Sequence, residues 1–239
     1  MENPALKFKK GIKDGLPIGL GYLSVAFAFG VQASLLGLPV YFSALISMTN
    51  LTSAGQLAGL QVIAALGTVA EMILVQLVIN SRYFLMSVSL SQKLDSSFST
   101  RKRLFAAAFV TDEIFAVAIS RRGAITPKYY FGLTVLPYIG WTFGTVLGAL
   151  SGDILPAEIQ AALGIALYAM FIAIIIPPAA KSYKIAFTVV LSAVLSCACY
   201  YVPFIHEHVS QGFAIIACAL VSALVAAAFF PVTEEEDYE

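Results

Sequence analysis

Residues 15–37 read G-L-P-I-G-L-G-Y-L-S-V-A-F-A-F-G-V-Q-A-S-L-L-G, a run without a single charge. At about 1.5 Å of rise per residue, a helix of this length crosses the ~30 Å hydrocarbon core of a bilayer. Lys7, Lys9, Lys10 and Lys13 stand just before it. A cleaved secretory leader also begins with positive charge, but its apolar core is only about 7–15 residues long. The run therefore reads as a retained first span with the N-terminus in the cytoplasm.

Similar stretches recur at about 68–90, 130–150, 159–177, 184–204 and 211–230. The whole chain agrees with them. Of its 239 residues, 59% are hydrophobic and 12% charged, against about 25% charged in a soluble domain. The mean hydropathy is +0.87. So much apolar surface needs lipid as its solvent, and the expected fold is an all-α integral membrane protein. Lys+Arg and Asp+Glu balance at 14 each, which leaves no basic excess for nucleic acid. Cys197, Cys199 and Cys218 all lie in apolar runs and read as small packing residues rather than a disulfide or a metal site.

Two stretches break the pattern. Residues 41–66 are apolar at both ends but read S-M-T-N-L-T-S-A-G-Q over 47–56, and residues 104–120 carry Thr111-Asp112-Glu113 at their centre. If both cross the membrane, the chain has eight spans. If both enter and return, six full spans remain, and every cluster of Lys and Arg (7–13, 93–103, 121–128, 181–184) lies on the cytoplasmic side. The positive-inside rule favours six full spans plus two interrupted or re-entrant segments. Both topologies place both termini in the cytoplasm. The interrupted segments occupy corresponding positions, each beside a full span, as in an internal repeat. Residues 1–232 read as one transmembrane domain, and 233–239 as an acidic tail.

Non-helical backbone at membrane depth persists only where protein or water covers its polar groups, so helix breaks are candidate binding sites. Ser53, Gly55 and Gln56 form such a break: small residues let the backbone approach a ligand, and a half-helix start can offer N–H groups to a carboxylate. The bland alternative is a loop between short helices. Glu71 and Arg82 are eleven residues apart on one helix, hence on one face and about 16 Å apart. An ionisable group within a span is a functional candidate by default. Arg82, with Asn80 nearby, suits bidentate binding of a carboxylate; the structural alternative is snorkelling or an ion pair. Glu71, Asp112 and Glu113 are candidates for proton coupling or for receiving a substrate ammonium. Against this, Glu71 can lie at an interface, and Asp112-Glu113 can form a surface turn.

Gly140, Gly144, Gly148 and Gly152 recur every four residues and form a smooth face for helix packing, within the bundle or against a partner subunit. Tyr138 and Trp141 beside them read as interfacial anchors. His206-Glu207-His208 reads as a solvated loop, and Pro177-Pro178 as a helix end. No nucleophile elbow, Walker A loop or zinc-protease motif is present, so the expectation is a non-enzyme with no catalytic residues, cofactor or metal.

These residues, in this order, resemble a family. Gly-Leu-Pro-Ile-Gly-Leu-Gly-Tyr at 15–22, Ser53-Ala54-Gly55-Gln56, Asn80-Ser81-Arg82-Tyr83 with Leu85-Met86, Thr111-Asp112-Glu113, and Gly140-Trp141 with Gly144 and Gly148 look like the AzlC family, over nearly the whole chain. The resemblance implies the large subunit of a two-component exporter in the bacterial cytoplasmic (inner) membrane. It implies a small AzlD-type membrane partner. The implied substrates are valine, leucine, isoleucine and related compounds such as methionine, moved by the proton motive force. Members often carry His after the Arg of the N-x-R segment, where this chain has Tyr83. Two other classes fit the residues without the resemblance: a channel or transporter for another small solute, and a non-transporting membrane assembly subunit.

Overall fold

The computed structural model describes residues 7–152 and 154–231. The acidic tail at 233–239 lies outside them. The described chain is helical, and its one β-type contact is an isolated bridge between Leu94 and Ile125. Eleven helices follow in order: α1 Phe8–Leu35, α2 Val40–Thr49, α3 Ser53–Ala64, α4 Val69–Lys93, α5 Thr100–Ala107, α6 Asp112–Ile119, α7 Pro127–Ser151, α8 Ala157–Lys181, α9 Tyr183–Tyr201, α10 Pro203–His208 and α11 Gln211–Phe229. Five of them, α1, α4, α7, α9 and α11, are long and apolar enough to cross a membrane. The sixth apolar run falls in α8, which continues through Pro177 and Pro178 to Lys181 rather than ending at the prolines. The chain is an all-α integral membrane protein.

Both interrupted stretches are broken helices. The first is α2 and α3, parted at residues 50–52; the second is α5 and α6, parted at 108–111. Residues 206–208 close the short helix α10 rather than a loop, with Pro203 at its first turn supplying a pre-set φ.

The chain divides into two compact units. Unit 1 holds residues up to 57 and 80–167; unit 2 holds 58–79 and 168 onward. The frame of unit 1 is the pair α1 and α7, its most extensive helix contact. The two run parallel, because Phe8, Gly19 and Phe27 meet Gly132, Gly140 and Gly148 in ascending order. Glycine makes this approach possible. A methyl group at Gly140 would strike the carbonyl oxygen of Gly19, one at Gly144 that of Leu23, and one at Gly148 that of Phe27. In lipid, where burial adds little between helices, such backbone contact supplies the dispersion and Cα–H···O attraction that holds them. The glycine face is thus occupied within this chain by α1, and Gly152 lies against Ser34 of the same helix.

Helix α1 ends at a left-handed Gly37, φ +76°, with Gly37 N donating to Ser34 O and Leu38 N to Ala33 O. The chain then turns down into α2, which descends along α7: Ser47 meets Thr145, and Asn50 meets Trp141. Helices α5 and α6 make a hairpin at the opposite end. Phe98, just before α5, packs on Tyr130 near the start of α7. Phe109 reaches Tyr138 near the middle of α7. Helix α6 then returns, and Arg121 beyond it binds Asp14 of α1 and Tyr129 of α7, back at the starting end. The two feet of this hairpin are tied by Ile125 N to Lys93 O (2.8 Å), Asp95 N to Ile125 O (3.0 Å) and Lys93 Nζ to Ile119 O. The α5–α6 segment therefore enters and returns on one side of unit 1.

In unit 2, α3 and α4 form a tight hairpin over 58–79 whose turn holds Leu66 at φ 54° and bonds Gly67 N to Val62 O. Ala58, Val62 and Val75 form its core with Met72, Ile79, Ile215 and Ile216. Helix α9 packs on α11, where Cys199 and Cys218 bring their Sγ atoms within 3.8 Å; Cys197 is exposed.

Candidate functional site

Each break in unit 1 is closed by a threonine. Thr52 starts α3 by accepting from Gly55 N at 3.3 Å, and its carbonyl accepts from Gln56 N at 2.9 Å. Thr111 starts α6 by accepting from Ile114 N at 3.3 Å. Both threonines are buried. A β-branched hydroxyl residue at a helix start satisfies an N–H that lipid would leave bare. The capping also engages the N–H groups of Gly55 and Gln56, so the first turn of α3 presents fewer donors to a carboxylate than the sequence suggests.

The break before α3 is sealed by side chains. Gln56 is 2% exposed and donates from Nε2 to Ser47 Oγ (3.0 Å) and to Asn50 O (2.8 Å). Ser47 shares a 2.7 Å hydrogen bond with Thr145. The extended backbone of Asn50 also accepts from Trp141 Nε1 at 3.2 Å. Trp141 is buried, with its N–H committed inside the protein, so it is not an interfacial anchor. The reason is the glycine face: it draws α1 so close that the indole meets Tyr22 instead of lipid headgroups.

Tyr22 carries the contact to the second break. Its ring stands edge-on to Trp141 with centroids 5.1 Å apart. Its hydroxyl lies 2.7 Å from Thr111 Oγ1 and donates to Glu113 Oε2 at 2.5 Å. A second bridge runs through α4. Arg82 pairs with Asp112 at 2.8 Å and donates to Tyr83 Oη at 3.1 Å, and Tyr83 shares a side-chain hydrogen bond with Thr52. The two breaks are thus joined twice, by Asn50–Trp141–Tyr22–Glu113 and by Thr52–Tyr83–Arg82–Asp112. Tyr22 and Trp141 lie near the middles of α1 and α7, which puts both breaks at the mid-depth of the frame.

The chemistry of the ring is uneven. The Arg82 and Asp112 side chains are 41% and 42% exposed, and Glu113 is exposed as well. A guanidinium and two carboxylates are therefore reachable, while Tyr22, Gln56, Ser47, Thr145, Thr52 and Thr111 are buried against them. Such a set can bind a zwitterion, and its carboxylates can take up and release protons. Among the described residues no group of three or more His, Cys, Asp or Glu is placed to hold a metal ion.

The structure brings Gln56, Arg82, Asp112 and Glu113 into this ring, with Ser53 and Gly55 in the first turn of α3 and half-buried Asn80 two residues before Arg82. Glu71 belongs to unit 2 and has other work there. It is 3% exposed, and its Oε1 accepts from Ser210 Oγ at 2.5 Å and Gly212 N at 2.8 Å, holding the positive N-terminal end of α11. Gly212 is needed for this, since a Cβ there would strike the carboxylate. Sequence reasoning missed the functional placing of Tyr22, Ser47, Thr145 and Tyr83. Their partners stand as far away as residue 145 in the chain, and lone hydroxyls within apolar helices carry no periodic signal.

Comparison with known proteins agrees with the fold and its membrane character. The model of the family described as AzlC protein matches residues 17–155, which include both breaks. The chain is 31% identical over 172 residues to an uncharacterized membrane protein of Archaeoglobus fulgidus, covering 71% of this chain and 75% of that one. It is 30% identical over 197 residues to the inner membrane protein YgaZ of Escherichia coli, covering 79% and 80%. An uncharacterized membrane protein of Helicobacter pylori is 27% identical over 154 residues, covering 61% and 66%. No solved structure matches the chain. Family and relatives point to a membrane transporter-type role rather than an enzyme. With a family match over more than half its length and relatives that share most of its span, the chain belongs to the AzlC family.

Proposed function

We propose that this chain is the large subunit of a secondary transporter that exports valine, leucine, isoleucine and related amino acids such as methionine, driven by the proton motive force. The observation that carries the reading is the doubly bridged pair of helix breaks at mid-depth. A small zwitterion there meets a guanidinium, two acids and capped half-helix ends. Arg82, with Asn80, binds the substrate carboxylate beside the break at Ser53–Gln56. Asp112 or Glu113 receives the ammonium or carries the coupling proton. Apolar side chains around the ring hold the branched end loosely, which suits several similar substrates.

The reading includes a small AzlD-type membrane partner and residence in the bacterial cytoplasmic membrane. The charge distribution supports an orientation. Lys10, Lys93, Arg103 and Arg121 all lie at the end of unit 1 where the α5–α6 hairpin enters. The positive-inside rule places that end, and with it the start of α1, in the cytoplasm. The test is to load cells with a leucine-containing dipeptide and follow leucine efflux with this chain alone, with the small partner, and with an uncoupler. Efflux should need this chain and fall with the uncoupler. Equal efflux from cells lacking both proteins would refute the export reading.

A further inference from the structure

Gln56 carries a polar group that the ring leaves unused. Its side-chain amide is held by two donations. One goes to the carbonyl oxygen of Asn50, which can only accept, so the amide nitrogen must face it and the orientation of the group is fixed. The other goes to Ser47 Oγ, itself bonded to Thr145. The carbonyl end, Oε1, is buried and has no hydrogen-bond partner. A buried amide oxygen without a donor is costly in water-free surroundings, and native proteins rarely keep one. Here it stands one helical turn beyond Thr52, in the break that Tyr83 and Trp141 connect to Arg82 and Glu113.

We infer that Gln56 Oε1 is an acceptor for the α-ammonium of the substrate, so that the break at Ser53–Gln56 recognises the amino end of the zwitterion rather than its carboxylate. Both amide N–H groups are committed to Ser47 and Asn50, which leaves Gln56 nothing to donate to an anion. Thr52 likewise occupies the N–H groups of Gly55 and Gln56. An ammonium brings three donors and no acceptor, the complement of what Gln56 offers. The substrate carboxylate is left to Arg82, the cation of the ring. This inference rests on the export reading and adds a direction to it: Gln56 rejects molecules that have the same carbon skeleton and carboxylate but no ammonium.

The test compares leucine with 4-methyl-2-oxopentanoate, its deaminated counterpart, as competitors of labelled leucine counterflow. Proteoliposomes hold the full chain with its small partner. The unsubstituted protein should prefer leucine by roughly 10- to 100-fold, the selectivity of a buried polar group left unpaired by the wrong ligand. Gln56→Met, similar in shape, should narrow that preference to about threefold or less while competition by the oxo acid is unchanged. Gln56→Glu, which keeps the acceptor and adds charge, should retain or widen the preference; it also serves if the methionine variant does not fold. Equal loss of both competitors in Gln56→Met, or narrowed preference in Gln56→Glu, would overturn the inference and leave Gln56 a packing residue. Counterflow of leucine in the unsubstituted protein shows that the export reading survives such a result; its absence would remove both.

Discussion

At the first break Thr52 caps α3 through Gly55 N, and at the second Thr111 caps α6 through Ile114 N. From there the two differ. The residues after Thr52 are Ser53, Ala54, Gly55 and Gln56, and the polar groups around Gln56 are buried and neutral. The residues after Thr111 are Asp112 and Glu113, reachable and charged, each held by one partner, Arg82 or Tyr22. One break is a fixed wall and the other a changeable one. A carboxylate held by a single hydrogen bond or ion pair can be released by protonation; an amide locked between a serine and a backbone carbonyl cannot. On the proposed export reading, the difference suits the first break to recognition and the second to coupling.

That assignment breaks most readily at Glu113. Glu113→Gln removes the titrating group but keeps its shape, and it should lower pH-driven leucine transport by about 100-fold or more, measured as the response of proteoliposomes to an imposed pH step. Glu71→Gln, a buried acid of unit 2, should leave that response intact and cost about 1–2 kcal/mol of stability as α11 loses its charged cap, read as a lower midpoint of thermal unfolding in detergent. If the two variants exchanged phenotypes, the comparison would fail. Arg82→Lys keeps the charge but loses the planar fork, and the apparent KM for leucine should rise about 10-fold or more with a smaller change in maximal rate. Tyr22→Phe removes the hydroxyl that holds Glu113 and should cut transport by about 10-fold, the scale of a hydrogen bond to a charged group. The smallest effect is expected from Ser47→Ala. It frees one side of the Gln56 amide and should cost about 1 kcal/mol of stability with little change in transport.

How much of this the sequence discloses follows from the range of each signal. Apolar length is local, so residues 15–37 and the runs like it predict spans directly, and polar residues within 41–66 and 104–120 predict breaks there. The glycine repeat from Gly140 to Gly152 predicts a close helix contact, because a spacing of four is a property of one helix. Its partner is not local: α1 lies more than a hundred residues earlier, and nothing at Gly19 or Phe27 names Gly140 or Gly148. The ring is hidden for the same reason. Asp112 and Glu113 are conspicuous as acids in an apolar setting, but their partners Arg82 and Tyr22 come from other helices. Glu71 is conspicuous in the same way, and only its hydrogen bonds to Ser210 and Gly212 separate it from them.

The central claim is that the two breaks together make one binding site, which ligand-induced stabilisation tests most directly. A molecule that binds only the folded protein stabilises it by RT ln(1 + L/Kd), L being its free concentration, and so raises its unfolding midpoint. Leucine should raise the midpoint of the purified unsubstituted protein and of Glu71→Gln by the same amount. The shift should shrink in Arg82→Ala and in Gln56→Met, whose substitutions lie on opposite sides of the ring. An undiminished leucine shift in both ring variants, or a shift abolished by Glu71→Gln alone, would contradict the account.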